Sequence, residues 1–159
     1  MKKFRSHPKL REWTKAFTDK KEKISSAIFK TDFHTFYYSF LVGVSKNEMA
    51  NDEDLKDSVE MSVDFTTDFK PVKMHIISVL ISAYLKEQGY ELEDAENVKK
   101  MVRALIDVDS NNLSSEGFKR INQYAYRGFE IIEKNNPWPN DPAASIDKIF
   151  KNFKRRGKN

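Results

Sequence analysis

The chain has 159 residues, of which 39% are hydrophobic and 13% aromatic, enough for one domain with its own core and too many for a disordered body. It has no cysteine, which excludes disulfides, thiolate metal sites and a cysteine nucleophile. The net charge of +4 combines two basic ends with an acidic middle. Residues 1–30 hold ten basic and three acidic residues, and residues 143–159 hold six basic residues and one acidic residue. Residues 31–70 hold three basic and nine acidic residues. Charge blocks at chain ends are typical of arms that bind nucleic acid or an acidic partner.

Neither a leader peptide nor a membrane span is expected. The polar N-terminus lacks the apolar run of roughly 7–15 residues that a signal peptide needs. The most apolar stretch, residues 72–85, is interrupted by polar residues and is shorter than the roughly twenty residues that cross a bilayer. We therefore expect a cytoplasmic protein with no membrane partner.

The first two predicted helices differ in character. Residues 10–24, within a basic N-terminal helical segment (1–30), predict an amphipathic helix whose apolar face consists of Leu10, Trp13, Phe17 and Ile24. Residues 33–44 predict a core helix capped by Thr31, and Gly43 followed by Ser45-Lys46-Asn47 is expected to end it.

The acidic insertion, residues 46–70, contains a different period. Apolar Val59, Met61, Val63 and Phe65 alternate with polar residues, which predicts an extended or hairpin segment near residues 58–66. A lone strand leaves its edges unsatisfied, so this segment is half of a small hairpin, an extended piece packed on helices, or a strand that awaits a partner.

The second half of the chain predicts more helices. Pro71 opens a helix over 72–88 that is apolar almost all round, so we expect it to be the most buried one. Gly89 ends it, and Asp94 with Asn97 begins the next helix, which runs to residue 106. After a turn at 109–112, Ser114 or Ser115 caps a helix that runs to about residue 134.

A stiff proline-rich connector (135–142) then precedes a basic C-terminal helical segment (143–159), in which residues 143–155 are the predicted helix. The sequence thus predicts a single, mainly α domain over residues 1–159, a compact bundle of six or seven helices with a short extended insertion.

Glycine within a helix needs a reason, since it costs roughly 1 kcal/mol relative to alanine. Gly128 lies inside the helix predicted to end near residue 134. We expect another helix to cross close to it.

Catalytic and metal patterns are weak. The calcium-like run at 107–111 lacks the glycine and the glutamate that its sixth and twelfth positions require, and those positions hold Asn112 and Phe118. Asp68 and Lys70, with Asp52 or Asp57, resemble the carboxylate and lysine set of metal-dependent nucleases only faintly. We predict no catalytic residue, no metal and no cofactor.

Two kinds of binding site are predicted. The helix pair around residues 110–115 is read as a hairpin of the bundle, with a DNA-reading helix-turn-helix as the alternative. In that alternative the outer face carries Lys119, Arg120, Asn122, Gln123 and Arg127.

The basic ends are the stronger nucleic-acid candidates, although the acidic middle can neutralise them within the molecule. Their candidate residues are Lys2, Lys3, Arg5, Lys9, Arg11, Lys15, Lys151, Lys154, Arg155 and Arg156. The candidate partner-binding residues are Trp138, Ile146, Phe150 and Phe153.

Two stretches resemble a known family. Ile28-Phe29-Lys30-Thr31, followed by an aromatic helix ending Leu41-Val42-Gly43-Val44, is similar to the opening of small proteins encoded beside bacterial DNA phosphorothioation (Dnd) systems. Residues 122–132 are similar to that family's tyrosine-alanine-x-glycine-glycine-leucine-glutamate ending, with Arg127 in place of the first glycine. With residues 72–85 between them, the resemblance covers about residues 28–133.

The resemblance implies an accessory component of a phage-defence modification or restriction system, and it supplies no catalytic residue. We therefore predict a non-catalytic adaptor subunit that binds larger protein subunits near DNA, with DNA as a candidate partner and no small-molecule substrate. The alternatives are a stand-alone, sequence-tolerant DNA-binding protein that uses the basic termini and the helix pair, and a small metal-dependent nuclease.

Overall fold

The computed structural model describes residues 2–18, 29–91, 93–110 and 112–135. In these ranges the chain forms five α-helices: α1 (Leu10–Thr18), α2 (Asp32–Lys46), α3 (Lys73–Glu87), α4 (Ala95–Leu105) and α5 (Ser115–Asn135). Four short strands accompany them: β1 (Phe4–Ser6), β2 (Val59–Ser62), β3 (Ile106–Asp107) and β4 (Asn112–Leu113). The mainly α class is confirmed, with five helices in the described part instead of six or seven. The helix predicted at 143–155 lies outside the described residues.

The centre of the fold is the crossing of α2 and α5, where two glycines remove the side chains that would separate the backbones. A Cβ added to Gly128 would lie 2.7 Å from the backbone nitrogen of Gly43 and closer still to the carbonyl oxygen of Ser39. A Cβ added to Gly43 would lie 2.9 Å from the carbonyl carbon of Tyr124. The close crossing predicted at Gly128 is confirmed.

The most buried helix is α5, not α3 as predicted. Eleven of the 21 residues of α5 are buried, against five of the 15 residues of α3. The helix α3 lies at the side of the bundle, so its apolar outer side remains partly exposed, and Met74 there keeps 47% of its surface. Hydrophobicity all round a helix therefore did not indicate its central position.

The N-terminus forms a strand before α1 begins, which corrects the helical reading of residues 1–30. The strand β1 pairs antiparallel with β2, with Arg5 opposite Glu60. The extended segment predicted near residues 58–66 is thus confirmed over Val59–Ser62. Its partner, β1, lies more than fifty residues earlier, near the N-terminal end of the chain.

Phe4 explains why the N-terminal strand is part of the fold. Its ring is fully buried and makes four edge-to-face contacts with centroid distances of 4.9–5.5 Å. The four partner rings are those of Phe33, Phe36, Phe65 and Phe118. Such rings carry much of the energy of a core, so β1 anchors the N-terminus to the aromatic centre.

Several predicted caps are present. The Asp94 side chain accepts a hydrogen bond from the Asn97 backbone N–H at 3.1 Å, and Ser114 Oγ accepts one from Gly117 at 3.0 Å. Gly89 has the positive φ of 75° that suits its predicted role after α3. The helix α2 continues past Gly43 to Lys46 and ends at Asn47, with a φ of 54°, which lies within the stretch predicted to stop it.

Candidate interaction surfaces

The N-terminal cations predicted to contact nucleic acid lie against acidic or polar groups of other elements. The ion pairs are Lys2 with Asp107, Lys3 with Glu60 at 2.6 Å, Lys9 with Glu133 at 2.8 Å, and Arg11 with Asp32 at 3.0 Å. Lys15 is exposed on α1. Two of these pairs, at Glu60 and Asp32, use the acidic stretch 31–70. The described N-terminal segment is thus a docked strand and helix with internal counter-charges.

Arg5 has a structural role. Its Nε donates to Ser58 Oγ at 2.8 Å, which ties β1 to the residue before β2. Its backbone N–H donates to Asn122 Oδ1 at 3.0 Å, and the Asn122 amide donates in turn to the Lys3 carbonyl at 2.9 Å. Asn122 therefore occupies the edge of β1 that β2 leaves open, as a neighbouring strand would.

The polar side of α5 holds the acidic loop after α2. Lys119 forms an ion pair with Asp52 at 2.7 Å, and buried Gln123 donates to the same carboxylate at 2.9 Å. The Gln123 backbone carbonyl accepts a hydrogen bond from the Ala50 N–H at 3.1 Å. Arg127 pairs with Glu48 at 3.1 Å.

This arrangement disagrees with the helix-turn-helix alternative. Asn122 and Gln123 are only 3% and 4% exposed, so their assignment to an outer face was wrong. Arg120 pairs with Glu116 at 2.7 Å and lies 4.7 Å above the centre of the Tyr84 ring. The connection between α4 and α5 is the antiparallel hairpin β3–β4.

A basic cluster that the sequence analysis missed lies on α4. Lys99, Lys100 and Arg103 are all exposed, and none of them forms an ion pair with another residue of the described ranges. Arg103 follows Lys99 by four residues and Lys100 by three, so it is a neighbour of both on the helix surface. The sequence shows that spacing, but it does not show which cations remain without a counter-charge after folding.

The outer side of α3 has the opposite character, because residues 71–82 place no Lys, Arg, Asp or Glu on it. Exposed positions recur at helical spacing and are occupied by apolar or small polar residues. We call this the α3 face, and it consists of Pro71, Met74, His75, Ser78 and Ser82. An uncharged exposed helix side on a chain with 33% charged residues is a candidate contact surface for another protein.

His7 lines a groove beside the C-terminal end of α5. Its ring stacks on Phe129 with centroids 4.9 Å apart and lies 4.7 Å from the ring of Tyr126. Burial between these rings lowers the pKa of His7, while Glu133 and Glu130 oppose that shift. The groove has a volume of about 690 Å³ and also includes Arg127.

The weak metal and catalytic patterns remain scattered. Asp107 pairs with Lys2, whose hydrogen bond is the main cause of the lowered pKa of that carboxyl. Asp52 is held by Lys119 and Gln123, whereas Asp68 and Lys70 are exposed. Within the described residues, no three His, Asp or Glu side chains are grouped so that they could hold a metal ion. The same part of the chain contains no helix long and apolar enough to cross a membrane.

The C-terminal candidates cannot be placed on this surface, because they lie outside the described residues. They are Lys151, Lys154, Arg155 and Arg156 for nucleic acid, and Trp138, Ile146, Phe150 and Phe153 for a protein partner.

Comparison with known proteins finds no family model, no curated protein and no solved structure that matches this chain.

Proposed function

We propose that this protein is a non-catalytic adaptor subunit of a bacterial anti-phage defence system that modifies or restricts DNA. It acts in the cytoplasm and binds larger protein subunits near DNA. The defence context rests on the resemblance to small Dnd-associated proteins described above. The role as a protein-binding subunit rests on the α3 face.

The α3 face supports this function because it suits a protein better than a phosphate backbone. Met74 on this face is 47% exposed, and Ser78 and Ser82 are small enough to let another helix approach closely. Burying uncharged side chains avoids the desolvation cost of charged groups. Four of the N-terminal cations meanwhile have acidic partners in the molecule.

The test is recovery of partners from the cells that produce the protein, with a tag on the chain and with or without nuclease treatment. We expect a protein of a DNA modification or restriction system to be recovered equally in both cases. Recovery that disappears after nuclease treatment would contradict a direct protein contact, because DNA would then bridge the two.

Stand-alone DNA binding is the second candidate, and the cations of α4 favour it. Lys99, Lys100 and Arg103 are exposed with no described acidic partner, so they are available to phosphates. Three phosphate contacts would lower the affinity for a duplex roughly 40-fold between 50 and 200 mM salt. Duplex binding that is this salt-dependent, and that the triple substitution to Gln abolishes, would favour the second candidate over the adaptor.

A further inference from the structure

Among the described residues, the two-stranded sheet β1–β2 has a polar partner along one edge and no strand along the other. Asn122 occupies the outer edge of β1, where its amide bonds to the Arg5 N–H and the Lys3 carbonyl. On the outer edge of β2, by contrast, no strand of the described chain is present. We call the segment 59–63, with this unpaired side, the β2 edge.

Open edges expose backbone donors and acceptors that readily pair with another chain. We propose that the β2 edge binds an extended, basic peptide segment of a partner protein as a third strand. This inference rests on the proposed adaptor function and gives the adaptor a second contact surface, separate from the α3 face.

Apolar side chains on the β2 edge are available to such a peptide. Val59 is 43% exposed and Val63 is 64% exposed, so both are exposed large apolar side chains of the described structure. Met61 between them is partly buried. An added strand would cover part of this apolar surface, while backbone hydrogen bonds supply the pairing.

The charge around the edge favours a basic peptide. Asp57 and Asp64 flank the strand, and Met61 and Ser62 line a cleft of about 370 Å³ that also contains Asp68. Asp68 is exposed and has no ion pair with a described residue. The second acid of the cleft, Asp32, is paired with Arg11, so Asp68 leaves the cleft with a net negative charge.

The same charges disfavour a second copy of this chain as the occupant. Asp57 and Asp64 lie just outside the two ends of β2. Antiparallel pairing of two β2 strands about their common centre would bring these carboxylates of one copy towards those of the other, and repulsion between like charges would weaken that pairing. A peptide that alternates apolar and basic residues has no such conflict.

The experiment uses the full chain labelled with ¹⁵N and two synthetic ten-residue peptides. The first alternates Val and Lys; the second has the same number of lysines but carries prolines at two central valine positions, which removes two backbone N–H donors and disfavours strand pairing. We expect the first peptide to shift the amide signals of residues 59–63 and to slow their hydrogen exchange. We expect the second peptide to bind at least about tenfold more weakly than the first, which is a difference of about 1.4 kcal/mol in binding free energy.

Equal binding of the two peptides would overturn the proposal, because simple charge attraction would then explain it. The proposal would also be overturned if the first peptide failed to bind or shifted other amides. Asp68→Asn should weaken binding of the first peptide severalfold, whereas the matched control Asp109→Asn, in the exposed turn between β3 and β4, should not. Neither variant changes the α3 face, so partner recovery through that face tests the adaptor function separately.

Discussion

Gly43 of α2 and Gly128 of α5 face each other so closely that a Cβ on Gly128 would lie 2.7 Å from the Gly43 nitrogen. The atoms on both sides of this contact are backbone atoms, so no side chain can rotate to make room for an added Cβ. This contact fixes the position of α5, and α5 in turn holds the N-terminal strand and the acidic loop through Asn122 and Gln123. The glycine pair therefore supports β1 and the acidic loop that leads towards β2.

Gly128→Leu should strongly lower the melting temperature. The new side chain collides with the backbone of α2, and overpacking of a tight core costs about 1–3 kcal/mol or more. Thermal unfolding measures the effect. The control is Gly89→Ala, where a Cβ meets nothing within 4 Å and only the positive φ of 75° is unfavourable, so the loss should be about 1 kcal/mol. An unchanged melting curve for Gly128→Leu would reject the close crossing.

Phe4→Ala should destabilise the protein by about 3–5 kcal/mol, as expected for a fully buried phenylalanine. Chemical unfolding measures the free energy of unfolding of this variant and of the control variant Lys2→Ala, which changes an exposed residue. The comparison separates a docked strand from a basic arm. If loss of the Phe4 ring had no more effect than loss of the Lys2 charge, the N-terminus would not belong to the core.

Asn122→Ala should cost about 2–3 kcal/mol, because it leaves the Arg5 N–H and the Lys3 carbonyl without their partner. Hydrogen exchange at the Arg5 amide should become much faster than in the original protein. Asn97→Ala is a suitable control, since its partly exposed amide bonds only to the neighbouring cap residue Asp94. Unchanged exchange at Arg5 would show that Asn122 does not close the β1 edge.

Much of the local structure follows from the sequence because its causes are local. Thr31, Asp94 and Ser114 begin helices through side chains that bond within three residues, and the alternation at Val59–Ser62 sets the strand. The features that the sequence did not predict depend on contacts between residues that are far apart in the chain. The partner of β2 lies more than fifty residues away, and only burial of Phe4 among four rings reveals why that pairing is favoured.

The candidate surfaces were harder to predict for a related reason. Asn122 and Gln123 look like surface residues, yet they are buried because their amides satisfy backbone and loop groups. Charge blocks in the sequence do not show which cations find counter-charges after folding, and Lys3 and Lys9 do. The α3 face was not predicted, because the apolar content of the helix as a whole indicated burial on all sides.

Stability should fall as the solution is acidified from pH 7.5 to 5.5, in part because of His7. Burial lowers its pKa in the folded state, so the unfolded chain, with a value near 6.5, binds the proton more readily. The stabilising contribution is therefore present above about pH 6.5 and is lost below it. Glu130 and Glu133 moderate the loss by attracting the protonated ring, and Lys9 opposes that attraction.

Urea unfolding at several pH values measures this dependence. In His7→Gln, the slope of the unfolding free energy between pH 7.5 and 5.5 should be shallower than in the original protein. An identical slope in the two proteins would assign the pH dependence to other groups.

The most direct test of the adaptor proposal uses the fact that the chain has no cysteine. Ser78→Cys places a single thiol on the α3 face, where a photoactivatable crosslinker can be attached, and Asp109→Cys places the same group on the exposed β3–β4 turn as the control. We predict that irradiation in an extract of the producing cells joins the Ser78 site, and not the Asp109 site, to a protein of a DNA modification or restriction system. Crosslinks that form equally at both sites, or at neither, would contradict the proposal that the α3 face binds a partner protein.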